Sequence, residues 1–298
     1  MKTIFIATDF SEAARNASLY GIELAKAVHA DVVLFHAYQT PVTLPHAMVS
    51  VAEEADRINP SGILSIETIC EESISCEAII EKANDKNADM IIVGMKEGGK
   101  GLRRLFGSTA TALIRKTNLP FLVIPETATY STPKIITLAS DIDEEMETNI
   151  HLLYPLRELA EKFESRIYVV KVNKAKINKM YELSARPHNL NCLLAKLDVK
   201  YEYADDYNVT HALAEFVKEH KADLLVMIPH KHDFLERIFT KSDTKDMLFH
   251  TLVPLLILPE KPDETRQKQA SGPVRQKLKN PANHNSFSIG RVIAPAEQ

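Results

Sequence analysis

Short continuous apolar runs alternate along this chain with longer stretches whose apolar residues return at every third or fourth position. Residues 1–37 set the pattern. TIFIAT, with its β-branched residues, reads as a strand buried on both faces. After it, Ala13, Ala14, Ala17, Tyr20, Leu24 and Ala27 keep the spacing of an amphipathic helix, and Ser11 is placed to cap it. DVVLFHA reads as a second buried strand. Pro41 and Pro45 then interrupt the pattern, a short helix is expected near Met48 to Arg57, and Asn59-Pro60-Ser61-Gly62 breaks it. ILSIETI reads as a strand, SCEAIIEKAND as a helix, and ADMIIVG as another buried strand. A glycine-rich segment leads into a helix expected from Ser108 to Lys116, and LPFLVIP is the last strand of the series.

Residues 133–260 run through the same series again. KIITLASD repeats TIFIATD, SRIYVVKV repeats ADVVLFHA, KADLLVMI repeats NADMIIVG, and VPLLILPE repeats LPFLVIPE. Pro120 and Pro254 stand 134 residues apart, as do Pro125 and Pro259. A repeat of that length is a duplicated domain, since solenoid periods run from about 20 to 50 residues. Strands alternating with helices require parallel pairing and right-handed crossovers. The expected fold is therefore α/β, with two doubly wound, five-stranded parallel sheets of Rossmann-like form. One occupies residues 1–127, the other 133–260, and 261–298 is expected to be a disordered tail. That tail is polar, broken by proline, and basic through Arg266, Lys268, Arg275, Lys277, Lys279 and Arg291; a solvated tail is preferred to a nucleic-acid or membrane arm.

Composition narrows the function classes. The chain has 298 residues, 45% of them hydrophobic and 26% charged, with a net charge of −4. No global basic field points to nucleic acid. Cys70, Cys76 and Cys192 form no CxxC pair, which favours reduced thiols and a cytoplasmic location over a disulfide framework. No apolar stretch approaches the roughly 20 residues needed to span a bilayer, so no membrane partner is expected.

The chemistry concentrates in one place. Gly94, Gly98, Gly99, Gly101 and Gly107 lie within fourteen residues, between an apolar strand and a Ser/Thr-started helix. Glycine permits positive φ and close backbone approach to a ligand, and a helix N-terminus favours an anion. Lys96, Lys100, Arg103 and Arg104 add positive charge. In doubly wound sheets ligands sit beyond the carboxyl ends of the strands, where Asp9 and Gly94 both fall. Other readings stay open: Asp9 and Ser108 as simple helix caps, and the glycine cluster as a loop without a ligand.

On these residues the chain resembles the universal stress protein family in its tandem form, over about residues 1–127 and 133–260. The family's nucleotide-binding members carry Gly, two residues, Gly, nine residues, Gly, then Ser or Thr. Here Gly94 and Gly107-Ser108 fill the outer positions, while Glu97 stands at the middle one and Gly98 follows it. ATDFSE at Ala7–Glu12 also resembles the family's first strand end. The resemblance implies an adenine nucleotide alpha-hydrolase-like fold. It further implies that Thr8, Asp9 and the backbone at Ala37 hold the nucleoside of ATP or a related adenine nucleotide. Gly94, Gly98, Gly107, Ser108 and Thr109 would hold its phosphates, with Mg²⁺ as a companion ion. It implies a regulatory protein with at most slow hydrolysis. The apolar edges LPFLVIP and VPLLILP are expected to pair antiparallel and unite the halves, with a homodimer and an unidentified protein partner as further associations.

In the second half, Ile228 and Lys241 replace Gly94 and Gly107, and only Ser242 survives. With Pro229, Asp243 and no glycine between 228 and 243, that half reads as nucleotide-incompetent, although Asp141 repeats Asp9. His230 and His232 lack further ligands at metal-site spacing, so no metal site is assigned. His36 reads as a hydrogen-bonded core residue, and Glu71-Glu72 as a turn. No nucleophile motif is present, so no catalytic residue is assigned. The alternative function is a nucleotide-free interaction module with both sites degenerate.

Overall fold

The structure, a computed structural model, describes residues 1–73, 76–96, 109, 112–113, 116–139, 150–173, 188–205, 209–228, 253–259 and 287–289. The first half builds β1 (Thr3–Ala7), α1 (Glu12–Val28), β2 (Asp31–Tyr38), α2 (Leu44–Ile58), β3 (Ile66–Glu72), α3 (Glu77–Asp85), β4 (Met90–Met95) and β5 (Phe121–Pro125). Thr109, Ala112, Leu113 and Lys116 are helical as well. The second half builds β6 (Ile135–Ala139), α4 (Tyr154–Phe163), β7 (Arg166–Asn173), α5 (His188–Leu194), β8 (Asp198–Asp205), α6 (Val209–His220), β9 (Leu224–Met227) and β10 (Leu255–Ile257). A last strand, β11, is Phe287–Ile289.

The strands form one sheet in the order β11-β3-β2-β1-β4-β5-β10-β9-β6-β7-β8. Within β3-β2-β1-β4-β5 every pairing is parallel, and so is every pairing within β10-β9-β6-β7-β8. The two runs meet where β10 pairs antiparallel with β5, Leu255 opposite Val123 and Ile257 opposite Phe121. The apolar edges expected to cover one another do so, and the two expected sheets are continuous through that pairing. An apolar edge left open would template association with other chains.

Strand alternation sends side chains into two apolar layers. Ile4 and Ile6 of β1 pack with α1 and α2, while Phe5 packs with α3 and Leu113. In the second half α4 and α5 join the first layer and α6 the second.

The same backbone devices appear in both halves. The Asp89 carboxylate accepts from the amides of Lys2 and Thr3 at 2.5 and 2.9 Å, and Asp223 accepts from Lys134 and Ile135, both at 2.9 Å. Helices α1 and α4 end on left-handed His29 and Glu164, after which Ala30 donates to Ala25 and Ser165 to Ala160. Left-handed caps of this kind satisfy the last carbonyls of a helix.

Three local expectations are corrected. Helix α2 begins at Leu44, four residues before Met48, because Pro45 stands in its first turn, where a missing N–H is no loss. Glu71 and Glu72 close strand β3 and do not form a turn; the Glu71 carboxylate pairs with Lys82 of α3 at 3.1 Å. Within the stretch expected to be a disordered tail, Phe287–Ile289 add to the outer edge of β3. An edge strand with unpaired backbone groups and an apolar-polar-apolar segment are complementary.

Candidate functional site

Strand β1 sits between β2 and β4, and the chain leaves it toward β2 on one side and reaches β4 later on the other. This is the switch in strand order, where a doubly wound sheet opens a crevice at its carboxyl ends. The residues after β1 are held there by local bonds. The Thr8 amide donates to the Phe35 carbonyl at 2.9 Å, continuing the ladder by one residue. The Phe10 amide donates to Thr8 Oγ1 at 3.1 Å, and the Ser11 amide to Asp9 Oδ1 at 3.0 Å. Ser11 Oγ then accepts from the Ala14 amide at 3.2 Å, the expected cap of α1. Capping therefore falls to Ser11, while Asp9 closes a tight turn and stays exposed.

Phe10 adopts φ of 63°, a left-handed conformation uncommon for a bulky side chain. Its ring lies against the His36 imidazole, centroids 4.1 Å apart and planes inclined by 35°. His36 Nδ1 is 2.9 Å from the Thr8 carbonyl. A carbonyl only accepts, so Nδ1 carries the proton and Nε2 of the neutral ring is bare. Burial lowers the His36 pKa, against the raising effects of the Thr8 bond and of Asp9. The half-buried histidine thus ties the end of β2 to the corner carrying Asp9, as the hydrogen-bonded role read from the sequence expects. Phe10, which completes that corner, was legible only as one apolar residue beside a turn.

Gly94 occupies the same rim on β4, two residues beyond Ile92, which pairs with Ile6. A Cβ at this position would lie 2.4 Å from the Ala13 carbonyl oxygen and 2.7 Å from the Ala14 nitrogen. The first turn of α1 therefore fills the space a side chain would take. In the second half Ile228 stands at the matching position and is 3% exposed.

Behind the rim, α1 and α2 are joined by a buried carboxylate. Glu54 is 1% exposed and accepts from Arg15 Nε and Nη2 at 2.9 and 3.2 Å and from Arg57 Nη1 at 2.7 Å. The bidentate bond raises the Arg15 pKa. Glu54 shares the buried stripe of α2 with Ala47, Val51, Ala55 and Ile58, and that helical spacing is the one local sign of the clamp.

Thr8, Asp9, Ala37 and Gly94 are thus brought to the carboxyl ends of β1, β2 and β4. Thr109 is helical and half-buried. Gly98, Gly107 and Ser108 lie outside the described residues, as do Glu97, Asp141, His230, His232 and Lys241 to Asp243. Among the described residues no group of His, Cys, Asp or Glu is placed to hold a metal ion. No described helix is long and apolar enough to cross a membrane. Chemically, the described ends of β1, β2 and β4 offer the exposed Asp9 carboxylate and backbone groups, a set suited to holding hydroxyl and amine donors.

The chain is 28% identical to the stress response protein NhaX of Bacillus subtilis (strain 168), a match covering 41% of this chain and 96% of that protein. It is 31% identical to a universal stress protein of Mycobacterium tuberculosis (strain ATCC 25618 / H37Rv), covering 42% of this chain but only 48% of the relative. The fold resembles the crystal structure of a universal stress protein from Archaeoglobus fulgidus DSM 4304, with a TM-score of 0.62 at 14% identity, over 86% of this chain and 98% of that one. Residues 1–125, the half that carries the rim, match the model of the Universal stress protein family.

Proposed function

We propose that the chain is a tandem universal stress protein whose first half binds ATP or a related adenine nucleotide as a regulatory event. The observation that carries the reading is the convergence of Asp9, Ala37 and Gly94 on adjacent strand ends at the switch in strand order. Asp9 would accept from ribose hydroxyls and the Ala37 backbone would read the base edge. Gly98, Gly107, Ser108 and Thr109 would meet the phosphates, with Mg²⁺ as companion. The reversed strand order of the second half, its repeated Asp223 clamp and the 86% coverage of the archaeal structure support the tandem reading. Ile228 supports loss of the site there, because its side chain stands where the first half has none. The binding half is proposed to act in the cytoplasm, with the joined halves available for homodimerisation or a protein partner.

A second reading, a nucleotide-free interaction module, is favoured by one observation: the Gly94 vacancy is already filled by the Ala13–Ala14 peptide. Calorimetric titration of ATP and AMP into the purified full chain separates the two. Binding that disappears in Gly107→Val and weakens in Asp9→Ala supports the nucleotide reading. Absence of heat from micromolar to millimolar nucleotide supports the interaction module.

A further inference from the structure

The two outer edges of the sheet differ in a way the nucleotide reading does not use. Edge strand β8 carries Asp198, Lys200, Glu202 and Asp205, and charges along an edge discourage strand addition. Strand β3, outermost of the first half, reads IETICEE, where three uncharged residues, Thr68, Ile69 and Cys70, stand together between Glu67 and Glu71-Glu72. It is there that β11 pairs antiparallel, Phe287 opposite Cys70, Ser288 opposite Ile69 and Ile289 opposite Thr68. On its other side β3 is fully engaged with β2 from Ile66 to Glu72. The outer backbone groups of β3 are therefore the ones that β11 uses.

The arrangement is reachable within one chain. In the sheet order β10 and β11 are six strand positions apart, about 29 Å at the usual strand spacing. The thirty residues from Ile257 to Phe287 can extend to roughly 100 Å. No second copy is required. Among the described residues β11 takes three of the seven β3 positions. A longer extended segment would engage more of the same edge, and strand addition gains affinity from each added backbone bond.

We propose that the outer edge of β3 is a strand-addition site for an extended peptide with apolar residues at alternate positions, and that Phe287–Ile289 is its tethered occupant. The tether gives the segment an effective concentration on the order of millimolar, so a free peptide of equal length competes poorly. A partner strand engages β3 when it is longer or when the segment is released.

The test uses the full chain with Ser288→Pro, which removes an amide and opposes strand pairing at a position outside both halves. Ser288→Ala is the control, and circular dichroism verifies that all three proteins share one fold. Two quantities are read: amide hydrogen exchange over Thr68–Cys70, and binding of a labelled synthetic peptide of residues 283–293. In Ser288→Pro the outward β3 amides should exchange faster. The peptide should bind that variant about 10²-fold more tightly than wild type or Ser288→Ala. Unchanged exchange over Thr68–Cys70 overturns the proposal, and so does a peptide that binds all three chains equally or binds none.

Discussion

Replacing Gly94 by alanine drives a methyl group into the backbone of α1. The new Cβ would lie 2.4 Å from the Ala13 oxygen, 2.5 Å from the Ala13 carbonyl carbon and 2.7 Å from the Ala14 nitrogen. Side-chain tips can rotate away from such contacts, but peptide atoms move only with the helix. Relief requires α1 to withdraw by about 1 Å, and a gap of that size forfeits a quarter to a half of each contact's dispersion energy. The helix packs Ala13, Ala14, Ala17, Tyr20, Ile22, Leu24 and Ala25 into the core, so the loss is shared by its whole buried face. Overpacking typically costs about 1–3 kcal/mol, and a backbone clash belongs at about 3 kcal/mol. Urea unfolding followed by far-ultraviolet circular dichroism measures it. Gly94→Ala within about 0.5 kcal/mol of wild type would refute the packing account and leave the glycine without a structural role.

Three further outcomes are expected. Arg15→Ala should cost about 3 kcal/mol, because it takes the bidentate partner from the buried Glu54 carboxylate, whereas Arg57→Ala should cost under about 1 kcal/mol, because that arm is solvent-facing and Arg15 still holds the carboxylate; equal effects in urea unfolding contradict this. Because the folded His36 pKa lies below its ordinary 6.5, the unfolded chain takes up a proton first as pH falls. The histidine's contribution is complete above about pH 6.5 and is lost as pH drops through the lowered folded value. The stability advantage of wild type over His36→Phe should therefore shrink from about pH 7.5 to about pH 5, and a constant advantage refutes it. Burial pushes the Cys70 thiol up to about 11, whereas Cys192 is exposed. At about pH 8 a thiol reagent should modify Cys192 about 10²-fold faster than Cys70 in the native chain; comparable rates contradict the burial.

Much of the scaffold was legible because its signals are local. TIFIAT, DVVLFHA and ADMIIVG are unbroken apolar runs, Ser11 stands where a cap is needed, and the pair LPFLVIP and VPLLILP has no other cover for its edges. What escaped depends on residues far apart in sequence. Gly94 reads locally as a ligand glycine, yet its packing partner is Ala13, eighty-one positions earlier. Glu54 interrupts the apolar stripe of α2 between Val51 and Ile58, and its partner Arg15 lies on another helix, thirty-nine positions earlier. Pro45 reads as an interruption because a breaker and a first-turn proline are the same residue in different registers. The alternation in FSIGRVI was the available sign of β11, too short to stand out in a polar stretch until an open β3 edge gave it a partner.

The rim at Asp9 is tested most directly by nucleotide stoichiometry on the purified full chain, measured by equilibrium dialysis with labelled ATP. One nucleotide per chain is expected, abolished by Gly107→Val in the first half and unaffected by Ser242→Ala in the second. No bound nucleotide, or two per chain, would contradict a single adenine-nucleotide site at the carboxyl ends of β1, β2 and β4.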